Sequence, residues 1–167
     1  MKKLLPALLL AACGAAMAAG HGSLDKKDRA FIEKAAAGGM LEVQAGKLAE
    51  EKGQNADLKS FGNMLSTDHA AGNEELKSLA AKKGVSLPSA LPKKEEKKLH
   101  QLASAKDFDK NFVKKQGLED HKQDIKDFEK ASKDARDPDV KAFAEKELPV
   151  LHKHLERAEA ISKELKG

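Results

Sequence analysis

Four long stretches of this chain repeat apolar or small residues at steps of three and four positions. That spacing places the repeated side chains on one face of an α-helix, and such a face is stable only when it is buried against a neighbour. Alternation at every second position, which would predict strands, is not sustained anywhere in the sequence. The pattern therefore predicts an all-α protein built from long helices.

Residues that start or stop helices set the predicted limits. Gly53 and Gly84 follow the first and second stretches, and Asn55 can cap the start of the second. Asp137 followed by Pro138 is typical of a helix start. The predicted long helices cover residues 25–52, 55–83, 107–133 and 137–165, and a shorter helix covers 93–103.

The connections between these helices predict how they pack. Helices of this length extend about 40 Å at 1.5 Å per residue. The first and second helices, and likewise the third and fourth, are joined by short connections, which predict two antiparallel hairpins. The connection between the hairpins is long enough to run along the bundle. The sequence therefore predicts a ferritin-like four-helix bundle, with a long crossover that contains the short helix. A simple up-down-up-down bundle is the alternative.

The beginning of the chain predicts export. Lys2 and Lys3 precede a short apolar run that ends in small residues suited to cleavage, so residues 1–18 are interpreted as a signal peptide. Residues 19–24 then form a linker to a single domain at 25–166. The apolar run is too short for a permanent transmembrane anchor, so no membrane span is expected after the signal is removed. The expected location is the periplasm or the exterior of the cell.

A second interpretation of the same segment stays open. The letters LAAC, which end at Cys13, have the form of a bacterial lipobox, in which the cysteine is lipidated. Cys13 is the only cysteine of the chain, and a lone cysteine in an exported protein calls for an explanation. The alternative location is therefore a lipoprotein anchored to the membrane through Cys13.

The charge pattern excludes nucleic acid as a partner. Lys and Arg number 31 against 27 Asp and Glu, and Lys2 and Lys3 leave with the signal. Lysines alternate with acidic residues along the helices, which indicates solvated surface rather than a basic face. Tyr and Trp are absent, so stacking on bases has only Phe to use. Another envelope protein or a lipid anchor remains as the expected partner.

Each of the four predicted core faces is interrupted by a polar side chain. These are Glu42 in the first helix, His69 in the second, His121 in the third, and His154 with Glu147 in the fourth. In each predicted hairpin, the two polar residues lie at different distances from the turn, and the difference is about 6 Å along the helix axis. Much of that offset closes because helical side chains lean toward the N-terminus. We predict that Glu42 and the three histidines meet near the middle of the bundle.

Three imidazoles and one carboxylate can hold one divalent transition-metal ion, and zinc, copper and iron all accept such donors. If Glu42 is not a direct ligand, one coordination position is open, and Asp68 or Glu147 can orient a ligating histidine. The alternative is a histidine–carboxylate hydrogen-bond network that only fixes how the helices align.

Four stretches resemble the exported bacterial proteins grouped as domain-of-unknown-function family 4142. They read FIEKAAAGGMLEVQAGKLA, FGNMLSTDHAAGNEELKSLAAKKG, FDKNFVKKQGLEDHKQDIKDFE and VKAFAEKELPVLHKHLERA. The resemblance covers about residues 25–164 and implies a ferritin-like fold and export. The polar positions that match the family pattern are Glu42, Asp68, His69, His121 and His154.

The chain departs from the general di-metal pattern of ferritin-like bundles, which combines a Glu from each of two helices with Glu-x-x-His from the other two. Ser66 and Leu151 stand three residues before His69 and His154, and His121 stands where a Glu is expected. The carboxylate bridges of a di-iron centre are therefore missing. Oxygen-activating chemistry is not predicted, and no catalytic residue is identified.

Three functional hypotheses follow. The first is a non-catalytic envelope protein that binds metal or acts in stress. The second is a structural or interaction module of the envelope without metal. The third is a metalloenzyme of unknown substrate, which the low carboxylate count disfavours.

Overall fold

The structure is a computed structural model that describes residues 24–166, and every regular element in that range is helical. The helices are α1 (Lys26–Lys52), α2 (Ala56–Lys82), α3 (Lys93–Ala103), α4 (Phe108–Phe112), α5 (His121–Asp134) and α6 (Pro138–Glu164), with a π-helical segment (Val113–Asp120) between α4 and α5. The all-α prediction is confirmed. The predicted signal peptide and Cys13 lie outside the described residues.

Local side chains start the helices where the sequence predicted. Asp25, Asn55 and Asp137 each accept a hydrogen bond from a backbone N–H group in the first turn of α1, α2 and α6. Pro138 occupies the first turn of α6, where its missing N–H group costs nothing. The observed limits of α1, α2, α3 and α6 agree with the predicted ones to within one residue.

The third long rod of the bundle consists of α4, the π-helical segment and α5, whereas α1, α2 and α6 are the other three rods. The sequence predicted an ordinary α-helix over residues 107–133, but its middle is the π-helical segment. A π-helix bonds each N–H group to the carbonyl five residues earlier, so it holds more residues per turn than an α-helix. The segment therefore changes which side chains face the core just before His121.

One end of the bundle is joined by Asp109, in α4. Its carboxylate accepts hydrogen bonds from the backbone N–H groups of Gln54 and Asn55, in the α1–α2 turn, at 2.7–3.1 Å. Since α2 runs away from that turn, the crossover through α3 must return along the bundle to bring α4 beside it.

The other end is joined by Asp28, in the first turn of α1. Its carboxylate accepts from the N–H groups of Arg136 and Asp137, in the α5–α6 turn, at 3.0 and 2.8 Å. Lys83, which follows α2, lies 2.6 Å from Asp137 at the same end. The two hairpin turns therefore lie at opposite ends of the bundle. This arrangement confirms the ferritin-like topology, because an up-down-up-down bundle places both turns at the same end.

The apolar core has two parts with a polar layer between them. One cluster, near the α1–α2 turn, contains Ala45, Ala49, Leu58, Phe61, Leu65, Leu102, Phe112, Val113, Ala158 and Ile161. The other, near the α5–α6 turn, contains Ile32, Ala36, Leu76, Leu79, Ala80, Val85, Val140 and Phe143. In α1, α2 and α6, the predicted polar positions fall between the residues of the two clusters. The apolar clusters therefore supply the burial that stabilises the bundle on both sides of these groups.

Glycines bring α1 and α2 into backbone contact beside this layer. A Cβ atom on Gly46 would lie 2.5 Å from the carbonyl oxygen of Gly62, and a Cβ atom on Gly62 would lie 2.5 Å from that of Gly46. Alanine at either position would force the two helices apart. In the described part of the chain, no helix is long and apolar enough to cross a membrane.

We expect Asp28→Ala and Asp109→Ala each to lower the free energy of unfolding by about 1–3 kcal/mol, because each removes a buried carboxylate that accepts from the N–H groups of a partly buried turn. Asp28 and Asp109 are only 3% and 9% exposed as residues. The two losses should add, because the sites lie at opposite ends of the bundle. Urea unfolding followed by circular dichroism measures both, and Glu33→Ala, on the exposed face of α1, is the control. A loss no larger than that of the control would contradict the role given to these aspartates.

Candidate metal centre

Three histidines from three helices converge in the polar layer. His69 lies on α2, His121 is the first residue of α5, and His154 lies on α6. One nitrogen of each ring lies within 4.8 Å of a nitrogen of each other ring. The ring centroids are 5.1–5.8 Å apart. The structure thus brings together three of the four side chains predicted as ligands.

The three rings differ in exposure. His121 and His154 are fully buried, whereas His69 is partly exposed as a residue. Its Nε2 atom is nevertheless buried and finds no hydrogen-bond partner among residues 24–166. Phe61 closes the side of the layer toward the α1–α2 turn, since its ring centroid lies 6.4 Å from those of both His121 and His154. An unpartnered buried nitrogen is costly unless a further group satisfies it.

The partners of His121 and His154 determine which ring nitrogens carry hydrogen. His121 Nδ1 lies 2.8 Å from the carbonyl oxygen of Gln116, and a carbonyl only accepts, so this nitrogen donates. His154 Nε2 lies 3.0 Å from Oδ2 of Asp68 and donates to that carboxylate. In the neutral rings the other nitrogens, His121 Nε2 and His154 Nδ1, therefore carry lone pairs.

These two lone-pair nitrogens face each other at 3.2 Å. Two acceptors at that distance repel unless a proton or a cation lies between them. Nitrogens that share one metal ion are about 3–4 Å apart, given metal–nitrogen bonds of about 2.1 Å. The pair therefore already has the spacing of two ligands of one ion.

Burial disfavours the protonated rings. It lowers the pKa of His154 to about 4, against the opposing effect of the hydrogen bond to Asp68. Burial also lowers the pKa of His121, and it lowers that of His69 well below its ordinary value. The folded chain therefore favours neutral imidazoles, and the stability they contribute is lost as the pH falls below about 6.5. Neutral imidazole is also the form that binds metal.

Glu42, the fourth predicted ligand, lies near His121 and is connected to it through Gln116. Its Oε1 atom accepts a hydrogen bond of 2.6 Å from the side-chain amide of Gln116 and lies 3.8 Å from His121 Nδ1. Its Oε2 atom is buried and has no partner in the described chain. Burial raises the pKa of Glu42 to about 8, although the bond from Gln116 opposes the rise. In this geometry Glu42 fixes Gln116, and the backbone of Gln116 fixes His121.

The π-helical segment makes this arrangement possible. Gln116 precedes His121 by five residues, a spacing that falls off the shared face of an α-helix but suits a π-helix. Gly117 then allows close packing, because a Cβ atom there would lie 2.7 Å from Cβ of Ala158 on α6. The π-helical segment and α6 therefore approach closely beside His121 and His154.

The two residues predicted to orient ligands lie in different surroundings. Asp68 contacts His154 across the bundle, although His69 is its neighbour in sequence. Glu147 lies against Gly72, one turn after His69, and makes no hydrogen bond to the three rings in the described chain. Burial raises the pKa of Glu147.

Sequence reasoning missed two polar residues near the site. Gln116 carried a visible signal, because it stands three residues after the buried Val113. Five residues separate it from His121, and the π-helical segment allows both side chains to face inward. Asp124 lies one turn after His121. Burial, followed by the nearby Glu42 carboxyl group, raises its pKa to about 7.

The residues fit a single transition-metal ion. They supply three imidazoles that are neutral at physiological pH and two lone pairs at ligand spacing. They also supply a buried nitrogen of His69 for which residues 24–166 provide no partner. Within the same range, carboxylates do not join the three rings, so the residues do not match the di-metal pattern of ferritin-like bundles.

The profile of one protein family, described as a domain of unknown function (DUF4142), matches residues 13–161. The chain belongs to this family. The resemblance recognised in the sequence is thereby confirmed. No curated protein gives a significant match.

A solved structure described as CopM in the Cu(I)-bound form has a similar fold. Its TM-score is 0.71, and the likeness covers 84% of this chain and 98% of that one. The two sequences are 16% identical. This likeness supports the ferritin-like arrangement of the DUF4142 chain.

We expect Glu42→Gln to become progressively stabilising, relative to the wild type, as the pH rises. The raised pKa means that the wild type favours a protonated carboxyl group, so it loses stability between about pH 4.5 and the folded pKa of about 8. Glutamine does not titrate and can still accept from Gln116. The difference in the free energy of unfolding should grow across that window by on the order of a few kcal/mol.

Urea unfolding at a series of pH values, with chelator present, measures this difference. Glu33→Gln on the exposed face of α1 supplies the baseline. A difference between Glu42→Gln and the wild type that stays constant from pH 4.5 to 8 would show that Glu42 titrates normally.

Proposed function

We propose that this chain binds one transition-metal ion through His69, His121 and His154, and that it serves as a non-catalytic metal-binding protein of the cell envelope. Copper is the first candidate metal. The observation that carries the proposal is the pair of lone-pair nitrogens on His121 and His154, held face to face at 3.2 Å.

The orientation of the His121 and His154 rings supports metal binding, because other residues fix it. Gln116 and Asp68 hold the opposite nitrogens of the two rings. A carboxylate or a carbonyl that accepts from the far nitrogen of a ligating histidine fixes its tautomer and raises its basicity. A network that served helix alignment alone would have no need to place two acceptors against each other.

The donor set supports a borderline or soft ion. Imidazole suits copper, zinc, iron and nickel, whereas magnesium, calcium and manganese prefer carboxylate and carbonyl oxygens. Among divalent ions of the first transition row, copper generally binds most strongly to a given nitrogen site. The solved relative described as CopM holds Cu(I), which adds to the case for testing copper first.

The absence of a reactive partner supports a binding role over catalysis. A metal ion held here would supply a positive charge, and the cavity beside His69 is lined by glycines and acidic residues. Residues 24–166 contain no cysteine, and Ser66, one turn before His69, donates to Glu50 rather than to an imidazole. His69, His121 and His154 hold the ion, Asp68 and Gln116 orient two of them, and Phe61 excludes water from one side.

Envelope location is part of the proposal and rests on the sequence of residues 1–18. A charged start, a short apolar run and small residues together indicate a secretory signal. Cys13 offers the lipoprotein variant of the same location.

A second candidate is a module whose polar layer only aligns the helices. Hydrogen bonds connect Asp68 on α2 to His154 on α6, and they connect His121 through Gln116 to Glu42 on α1. A proton shared between His121 and His154 would complete that network without metal. Metal measurements separate the two candidates.

We expect the protein, purified without a histidine tag, to take up one equivalent of Cu²⁺ or Zn²⁺ and to lose this binding in His69→Ala, His121→Ala and His154→Ala. Each substitution removes one of three imidazoles from a site that has few other donors. Titration calorimetry and metal analysis after dialysis measure the stoichiometry.

His152→Ala is the matched control, because His152 is exposed on α6 two residues before His154. It should keep the full equivalent. Wild-type protein that takes up neither ion and unfolds at the same temperature with and without them would favour the alignment module. Equal loss in His152→Ala would point to surface binding.

We expect Asp68→Asn to weaken metal binding by about 10–100-fold, the usual cost of losing a group that orients a ligating histidine. The side-chain amide introduced by this substitution can donate to His154 Nε2 and thereby transfer the ring hydrogen to Nδ1, the nitrogen that faces His121. Asp57→Asn is the control, since Asp57 also lies on α2 but pairs with Arg157. An unchanged affinity in Asp68→Asn would refute the orienting role of Asp68.

A further inference from the structure

A small cavity lies against the three-histidine site. Its volume is about 40 Å³, it reaches His69, and all the long rods of the bundle contribute to its wall. A single water needs only about 10–15 Å³ measured in this way, so the space exceeds that of one water. The site is thus adjacent to open volume on the side of His69, the one of the three histidines that lines the cavity.

One end of the cavity reaches the protein surface. Lys34 on α1 and Asp127 on α5 both line it and form an ion pair of 2.5 Å across the seam between the two helices. Their side chains are 60% and 28% exposed. The cavity therefore extends from the solvent-facing seam between α1 and α5 to the interior face of His69.

Glycines keep this space open. A Cβ atom on Gly38 would meet no other part of the described chain within 4 Å, so a larger side chain there has room to enter the cavity. A Cβ atom on Gly72 would lie 2.8 Å from Oε2 of Glu147, which itself lines the cavity. Small residues at these positions preserve a passage that ordinary helix packing would fill.

The charges along the cavity suit a cation. Asp124, Asp127 and Glu147 line it together with a single basic residue, Lys34. Acidic groups therefore outnumber basic ones in the lining. Burial raises the pKa of Asp124 and of Glu147, and an approaching cation favours the ionised form of both. The opposite side of the histidine layer is packed with Phe61 and the apolar cluster around it.

We propose that this cavity is the route by which a metal ion reaches and leaves the three histidines, and that the Lys34–Asp127 pair stands at its outer end. The inference rests on the proposed metal-binding function and concerns how that site is loaded. Asp124 and Glu147 guide the ion inward, and His69 is the first imidazole that it meets.

Filling the cavity tests the route. Gly38→Leu should slow both the association and the dissociation of Cu²⁺ by about tenfold, while the equilibrium affinity stays close to that of the wild type, because the ligands are untouched. Gly38→Ala is the matched control and should leave both rates near the wild-type values. Stopped-flow mixing with Cu²⁺ buffered by a chromogenic chelator measures the two rates.

The charges at the outer end provide a second test that does not depend on the fold of Gly38→Leu. Lys34→Met should speed association and Asp127→Asn should slow it, and both effects should shrink as salt is added. Lys47→Met, an exposed lysine on α1 that does not line the cavity, is the control and should change neither rate.

Two results would overturn the route while metal binding stands. One is a Gly38→Leu protein that folds and binds Cu²⁺ at wild-type rates. The other is Lys34→Met and Asp127→Asn proteins whose association rates change in the same direction. A wild-type protein that binds no Cu²⁺ at all would instead remove the proposed function, and the route with it.

Discussion

Two buried imidazoles, His121 and His154, turn lone-pair nitrogens toward each other because Gln116 and Asp68 hold their opposite nitrogens. This arrangement is unfavourable by itself, since each ring gives up water and gains an acceptor as its neighbour. It persists because the groups that impose it belong to different helices. Either a shared proton or a metal ion would relieve this repulsion, and under the proposed function a metal ion does so with His69 as a third ligand.

The bundle tolerates such a layer because apolar packing brackets it on both sides. The clusters around Phe61 and around Phe143 each contain residues of several rods. The apolar burial in these two clusters offsets the free-energy cost of burying the polar groups between them. Asp28 and Asp109 then join the hairpin turns at the two ends to the other hairpin. With both ends tied, the hairpins cannot slide past each other, and the register that brings the three rings to one depth is maintained.

The same register leaves the layer closed on one side and open on the other. Phe61 packs against His121 and His154, whereas glycines on α1 and α2 leave space beside His69. In the proposed site, binding and access would therefore fall on different sides of one layer. His121 and His154 are fully buried, and His69 lies where the cavity begins.

The amino-acid sequence by itself determined the elements and the polar positions of this protein. Helix limits depend on local chemistry, such as the Asn55 cap and the Asp137–Pro138 start, and local chemistry can be read without knowing the fold. The periodicity also identified His69, His121 and His154 as inward-facing, because a residue at a helical spacing from apolar neighbours shares their face. The lengths of the connections were sufficient to favour the ferritin-like topology.

Only the tertiary structure decided how those positions are connected. Asp68 contacts His154 rather than a group on its own helix, and this pairing depends on the distance between α2 and α6. Gln116 and His121 face the core together because a π-helical segment lies between them, and helix propensities do not predict such a segment. For the same reason Glu42 lies against an amide instead of joining the three rings. Such contacts depend on how all the long helices pack against one another. The pattern of each helix, taken alone, does not predict that packing.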